Sequence, residues 1–293
     1  MSDIGSHVVG LIGRGIAASR SPRIHEDAGR GLQIPLAYRL VDFAALGLGD
    51  EELPRIVSLL RGIGFSGCNV TFPFKQAALA LCDSLSSDAA TLGAVNTLVF
   101  RDGTVRGENT DWVGFSWMIE REIGDVRGAM VAQVGAGGAG SATAYALAHK
   151  GVKELRLFDP DSNRSAELAN RISTAFPECR LTVADDAAEA IAGAAGVVNA
   201  TPIGMASLPG VPFDPALMHG DQWLADIIYF PLQTQLLSAA KANGQRVANG
   251  VSMVIGQAAE AFRHFTGLTP DREHMLARML GVLDAEQHPG ART

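Results

Sequence analysis

The chain has 293 residues, a formal net charge of −7, and 47% hydrophobic against 19% charged residues. That balance buries a sizeable core and excludes a disordered chain, and the length suggests two domains. An acidic protein with 6% aromatic residues has little with which to neutralise phosphates or stack bases, so nucleic acid is excluded as a partner.

In chain order, short β-rich runs alternate with longer helical stretches. Residues 8–12 read as a strand and 21–30 as a helix with Pro22 at its first position. Strand 37–42, helix 51–62 and strand 67–71 follow, the last stopped by Phe72 and Pro73, and a helix is expected over 75–81. Strands at 94–100 and 104–108 flank Arg101, Asp102 and Gly103, a hairpin turn. After Asp111 comes a helix containing Gly114 and Phe115. A fresh β-α-β unit then starts, with strand 129–134, a glycine turn at 135–140, helix 141–150 and strand 154–158. Helix 163–176, strand 180–183, helix 187–194, strand 196–200, strand 223–229 and helix 234–243 come next. Two helices, about 250–267 and 270–284, close the chain, and the tail from 287 is expected to fray. Strands alternating with helices predict an α/β protein with parallel sheets covered on both faces.

Glycine is in excess, 33 of 293 residues, against a usual share of about 7%. No Gly-X-Y period is present, which excludes collagen and puts the excess in turns and close backbone approaches. Cys68, Cys82 and Cys179 are far apart and lack metal-ligand spacing, so neither a disulfide framework nor a metal site is expected. Reduced cysteines and an N-terminus without a signal-peptide pattern fit a cytoplasmic protein. The uncharged stretches 128–148 and 190–213 carry glycines and alanines, or Pro202, Pro209 and Pro212, in place of a sustained Leu/Ile/Phe run. They read as interior segments, with no membrane partner.

The strongest generic signal is Gly135, Ala136, Gly137, Gly138, Ala139 and Gly140, a G-x-G-x-x-G match between an apolar strand and a helix. Glycines there allow a tight turn and let a pyrophosphate approach backbone N–H groups at the helix N-terminus. A purely structural turn and another nucleotide-shaped ligand are the alternatives. Asp159 ends the next strand. A carboxylate there accepts both ribose hydroxyls and repels a 2′-phosphate, which favours NAD over NADP. Arg164 counts the other way, since an arginine nearby meets such a phosphate; it reads equally as a solvated helix residue.

A second cluster lies in the first half. Asn69, Thr71 and Lys75 stand at the C-terminal end of a strand, where open α/β sheets bind ligands. Asn96 and Thr97, then Asn109, Thr110 and Asp111, repeat the theme of polar groups beside apolar runs. Each alone reads as a turn or helix cap. Spacing does not name a substrate.

These motifs resemble the shikimate dehydrogenase family over nearly the full length. In order they are Ser19 to Pro22; Asn69 to Lys75; Gly93 to Thr97; Gly107 to Asp111 with Gly114; Gly135 to Ala139; Asn199 to Met205; Tyr229 to Pro231 with Thr234, Leu236 and Leu237; and Gly250 to Met253 with Gln257, ending at Phe265 to Gly267. The resemblance implies an N-terminal α/β substrate domain plus a Rossmann-type dinucleotide-binding domain with a cleft between them. The expected bounds are 1–113 with 250–293, and 114–249. It implies Lys75 and Asp111 as the catalytic pair: oxidising an alcohol needs a base for the hydroxyl proton as hydride leaves for the nicotinamide. It implies that Ser19 and Ser21 hold the substrate carboxylate, although Ser21 alone would read as a helix cap. Thr71, Asn96 and Gln257 would bind ring hydroxyls, and Tyr229 would line the same cleft. Thr201, Ile227 and Gly250 would lie near the nicotinamide, with Ile227 also a core residue.

Two departures matter. Phe158, Asp159, Pro160, Asp161, Ser162, Asn163 and Arg164 replace the Asn-Arg-Thr common in NADP-dependent biosynthetic members, and resemble the NAD-using quinate/shikimate branch. Residues 13–19 lack the Pro and His usual before the serines, which leaves quinate against shikimate open. The expectation is reversible NAD-dependent oxidation of the C3 hydroxyl of shikimate or quinate, with cleft closure excluding water. NADPH-dependent reduction of 3-dehydroshikimate is the alternative within the class. A non-catalytic acid and dinucleotide sensor, or a methyltransferase, is the alternative outside it. The protein is expected to act as a monomer or homodimer.

Overall fold

The computed structural model describes residues 5–287. The chain divides into two compact units, residues 1–110 with 257–293, and residues 111–256.

The first unit opens with β1 (His7–Gly13), α1 (Ser21–Gly31) and β2 (Leu36–Asp42). A short 3₁₀ turn leads into α2 (Leu53–Gly62) and β3 (Gly67–Val70). β4 (Ser84–Leu85), α3 (Ser87–Leu92), β5 (Thr97–Arg101) and β6 (Thr104–Glu108) follow. The sheet order is β2-β1-β3-β5-β6-β4. It is mixed rather than parallel: β1 pairs parallel with β2 and β3, whereas β5 is antiparallel to both β3 and β6. A two-residue hairpin turn makes the β5/β6 pair antiparallel. Asp102 and Gly103 there have φ of 51° and 74°, the left-handed pair that reverses a strand at once.

Other expectations shift for local reasons. The segment 75–81 forms only a 3₁₀ helix, Ala77–Leu81; so short a run between Pro73 and β4 does not sustain an α-helix. Arg20 is the N-cap of α1, so Ser21 is a helical residue, Pro22 follows it, and the capping reading of Ser21 falls. The Ser19 hydroxyl instead accepts from the Ser21 N–H at 3.3 Å.

The second unit begins with α4 (Asp111–Glu122), then β7 (Met130–Val134), α5 (Gly138–His149) and β8 (Glu154–Phe158). It continues with α6 (Ser162–Ala175), β9 (Arg180–Val183), α7 (Ala187–Ile191) and β10 (Gly196–Asn199). β11 (Trp223–Asp226), α8 (Gln235–Ala242) and β12 (Val247–Asn249) complete its sheet. All pairs are parallel, in the order β12-β11-β10-β7-β8-β9. Chain direction across the sheet reverses between β7 and β10, the point where such sheets take their ligands. Alternate residues feed cores on opposite faces: Val131, Val198 and Ala225 on one, Ala132, Val197 and Leu224 on the other. β11 stops at Asp226 rather than at 229, because its carboxylate turns back to accept the Ile228 N–H at 3.1 Å.

α9 (Gly250–Thr266) starts in the second unit and continues into the first, where Ala261 and Phe265 pack on Val9, Leu11 and Tyr38. α10 (Arg272–Gln287) packs on α1. The tail from 288 expected to fray lies outside the described residues. Among those residues no helix is long and apolar enough to cross a membrane.

Candidate active site

In the first unit, polar residues far apart in sequence collect at one edge of the sheet. β1 and β3 run parallel, so the residues after them, Ser19 and Thr71, leave at the same edge. β5 runs the other way, so Asn96, just before it, starts there, and β6 returns to that edge before Thr110. A continuous hydrogen-bond network results. The Ser19 hydroxyl meets the Ser21 hydroxyl at 3.2 Å, and Ser21 in turn bonds the Tyr38 phenol. Burial, reinforced by Cys68, holds the Tyr38 phenol protonated far above its ordinary range, although Ser21 pulls the other way. The phenol therefore donates to Asn69 Oδ1, at 2.8 Å. Asn69 Nδ2 donates to the Thr97 hydroxyl at 3.0 Å, and that hydroxyl donates to Asn96 Oδ1 at 2.9 Å. Asn96 Nδ2 donates to the Thr110 hydroxyl at 3.0 Å and to Gln257 Oε1 at 3.3 Å.

The serine pair, Asn96 and Gln257 are thus linked, through Tyr38, a residue that the motifs did not single out. Its only sequence signal was a lone tyrosine in a strand. Thr71 and Lys75 stand just after β3, half-buried, and the Lys75 carbonyl accepts from the Val95 N–H at 2.8 Å. Asp42 was also missed. It ends β2, accepts from the N–H groups of Gly15 and Ile16 at 2.8 Å and of Ala44 at 3.0 Å, and so shapes the loop that carries Ser19. Arg14 in that loop pairs with Asp50 and donates to the Leu48 carbonyl.

In the second unit, Gly135 has φ of 103°, where a Cβ would sit 2.8 Å from the Ala200 carbonyl carbon; only glycine suits both demands. A Cβ at Gly137 or Gly138 would meet nothing within 4 Å, so the turn faces open space. α5 begins at Gly138 rather than at 141, which brings the N-terminus of the helix into the glycine turn. Ala136 and Ala139 complete the turn, and Gln133 grips it from within the sheet. Fully buried, Gln133 donates through Nε2 to the Gly135 and Gly140 carbonyls, both at 2.9 Å, and accepts from Thr143 at 2.8 Å. This shape suits a pyrophosphate on backbone N–H groups.

Asp159 does more than the sequence implied. Its Oδ2 accepts from the Ala136 N–H at 2.8 Å and its Oδ1 from the Asp161 N–H at 3.0 Å. Each oxygen has a second lone pair with which to accept a further hydrogen bond. Arg164 pairs with Asp161 at 3.4 Å on the surface. The Thr201 hydroxyl donates to Asn199 Oδ1 at 2.7 Å, after β10. Gly250 lies against Ile227, with a hypothetical Cβ 2.0 Å from the Ile227 carbonyl oxygen. Tyr229, half-buried, follows β11 in this unit. Asp111 is buried at the start of α4 in the second unit, and Lys75 belongs to the first.

Comparison with known proteins places these features. Residues 11–98 match the model of the shikimate dehydrogenase substrate binding domain, and residues 250–280 that of the shikimate 5'-dehydrogenase C-terminal domain. The chain is 43% identical over 284 residues to a shikimate dehydrogenase (NADP(+)) of Pseudarthrobacter chlorophenolicus, covering 96% of this chain and 97% of that one. It is 43% identical over 280 residues to a quinate/shikimate dehydrogenase (NAD(+)) of Corynebacterium efficiens, covering 94% and 99%. Among solved structures, quinate dehydrogenase from Corynebacterium glutamicum in complex with NAD superposes with a TM-score of 0.88 at 41% identity, covering 94% of this chain and 99% of that one.

Proposed function

The chain belongs to the shikimate dehydrogenase family and is an NAD(P)-dependent oxidoreductase, and from that premise we propose that it oxidises the C3 hydroxyl of quinate or shikimate with NAD. The reverse reaction runs under reducing conditions. The observation that carries the choice of cofactor is the acidic end of β8. Asp159 and Asp161 stand together there, and Arg164 is already engaged by Asp161. A 2′-phosphate would meet two carboxylates and an arginine whose charge is offset, whereas ribose hydroxyls would find acceptors.

Gly135, Gly137, Gly138 and Gly140 would hold the pyrophosphate, Asp159 the adenosine ribose, and Thr201, Ile227 and Gly250 the nicotinamide half. When bound, NAD supplies the hydride acceptor. On the substrate side, Ser19 and Ser21 hydroxyls turn toward the carboxylate, a charged acceptor stronger than their neutral partners. Thr71, Asn96 and Gln257 pair with ring hydroxyls, and Tyr229 flanks the ring. Lys75 or Asp111 takes the proton of the C3 hydroxyl, so the alcohol loses a hydride and a proton and becomes a ketone.

Initial rates over a grid of quinate, shikimate, NAD and NADP test this reading. The highest kcat/KM is expected with NAD; a higher value with NADP overturns the argument from Asp159. Lys75→Ala should lose at least about 100-fold in turnover, and wild-type turnover in that variant would remove Lys75 from the chemistry.

A further inference from the structure

We propose that Asp226 is a positioning residue for the nicotinamide half of the dinucleotide, its buried carboxylate fastening together the loops after β10 and β11 and the start of α8. The inference rests on the dinucleotide reading above and deepens it.

Asp226 ends β11 with no exposed surface and sits in register beside Asn199, the last residue of β10. Its Oδ1 accepts from Asn199 Nδ2 and from the Ile228 N–H, both at 3.1 Å. Its Oδ2 accepts from the Thr234 hydroxyl at 2.8 Å. That hydroxyl itself accepts from the Leu237 N–H at the start of α8, which leaves its hydrogen for Asp226. The other end of Asn199 accepts from both the N–H and the hydroxyl of Thr201, at 3.0 and 2.7 Å. The Ile227 N–H donates to the Asn199 carbonyl, and the Gly250 N–H to the Ile228 carbonyl. Thr201, Ile227 and Gly250 are therefore each joined to Asp226 through one or two residues.

A buried carboxylate is a costly way to finish a strand; an apolar side chain would pack there without loss of hydration. The carboxylate accepts only, and it is matched to three donors on three separate segments. What it secures is loop geometry at the ends of the strands. The glycine turn has its own supports, Gln133 and Asp159. A fault at Asp226 should accordingly reach the nicotinamide end and spare the pyrophosphate and adenosine end.

Calorimetric titration with NAD and with ADP-ribose, which lacks the nicotinamide, separates the two ends. Asp226→Asn puts an amide donor against a site built for an acceptor. It is expected to weaken NAD at least about five-fold while ADP-ribose stays within about two-fold, and to lower kcat with little change in KM for the acid. Thr234→Val should show the same NAD-selective loss in smaller measure, and Thr234→Ser should keep NAD affinity. Equal weakening of both ligands, or no weakening of NAD, overturns the proposal. Where Asp226→Asn does not fold, Thr234→Val decides by the same criteria. Failure of the wild-type protein to bind ADP-ribose overturns the dinucleotide reading itself, and this inference with it.

Discussion

Asp42 ends β2 in the first unit and Asp226 ends β11 in the second, and each carboxylate gathers donors from the loops around it. Their acidities move in opposite directions. Burial pushes Asp42 up, but the backbone N–H groups of Gly15, Ile16, Ala44 and Ala45 together bring it below the ordinary carboxylate range. Burial raises Asp226 more than the bonds from Thr234, Ile228 and Asn199 lower it, which leaves it at about 6. Four backbone dipoles outweigh the lost hydration of one carboxylate; two side chains and a single amide do not outweigh complete burial. The same device thus makes Asp42 a stronger acid and Asp226 a weaker one.

His25 widens the contrast. It is buried in the first unit between Tyr38, Phe262 and Phe265, and burial brings its pKa down to about 3. The folded state keeps the imidazole neutral, while the unfolded chain protonates it near 6.5. Its contribution is complete above about pH 6.5 and is lost as pH falls towards 3, about 5 kcal/mol over that whole span. This is the largest effect expected. Hydrogen exchange at about pH 7 and about pH 4.5 should show β1 and β3 losing protection on acidification. His25→Leu should flatten that loss, and an unchanged slope would break the contrast.

Asp226 predicts the reverse in the second unit. Its folded pKa lies above the ordinary 3.8, so its ionisation opposes folding. The stability is present below about pH 4 and lost as pH rises through about 6, about 3 kcal/mol in all. Amides of β10 and β11 should gain protection on mild acidification, and Asp226→Asn should abolish the gain. Next in size, Gln133→Leu removes the side-chain amide that donates to the Gly135 and Gly140 carbonyls. It should weaken NAD and ADP-ribose alike by about five-fold, a lost hydrogen bond of about 1 kcal/mol, in contrast to the selective loss expected at Asp226. Asp42 contributes above the ordinary carboxylate range, and its contribution is lost as pH falls through its lowered pKa. Asp42→Asn should remove that loss and raise KM for the acid through the Ser19 loop, leaving NAD affinity unchanged. The smallest effect belongs to Arg164→Ala: a surface pair is worth under about 1 kcal/mol, so NAD affinity should stay within about two-fold.

Local chemistry made much of the fold legible. The glycine turn after β7, the two-residue hairpin at Asp102 and Gly103, and the bounds of β8 and β9 follow from neighbouring residues. So does Asp159, because its meaning depends on ending a strand one unit after the turn. The short helix α3 escaped notice, since six residues give too little periodicity to read.

What the sequence by itself determined is the set of chemical groups and the strand ends on which they stand. Only the tertiary structure decided which of them meet. Asn96 reaches Gln257 across 161 residues, and Tyr38 reaches Asn69 across 31, through a strand order that no local pattern records. It also decided the charge preference of Asp42, His25 and Asp226. Asp42 and Asp226 look alike as sequence, an aspartate after an apolar run, but desolvation and donor count are sums over everything packed around a side chain, and those neighbours come from the whole fold.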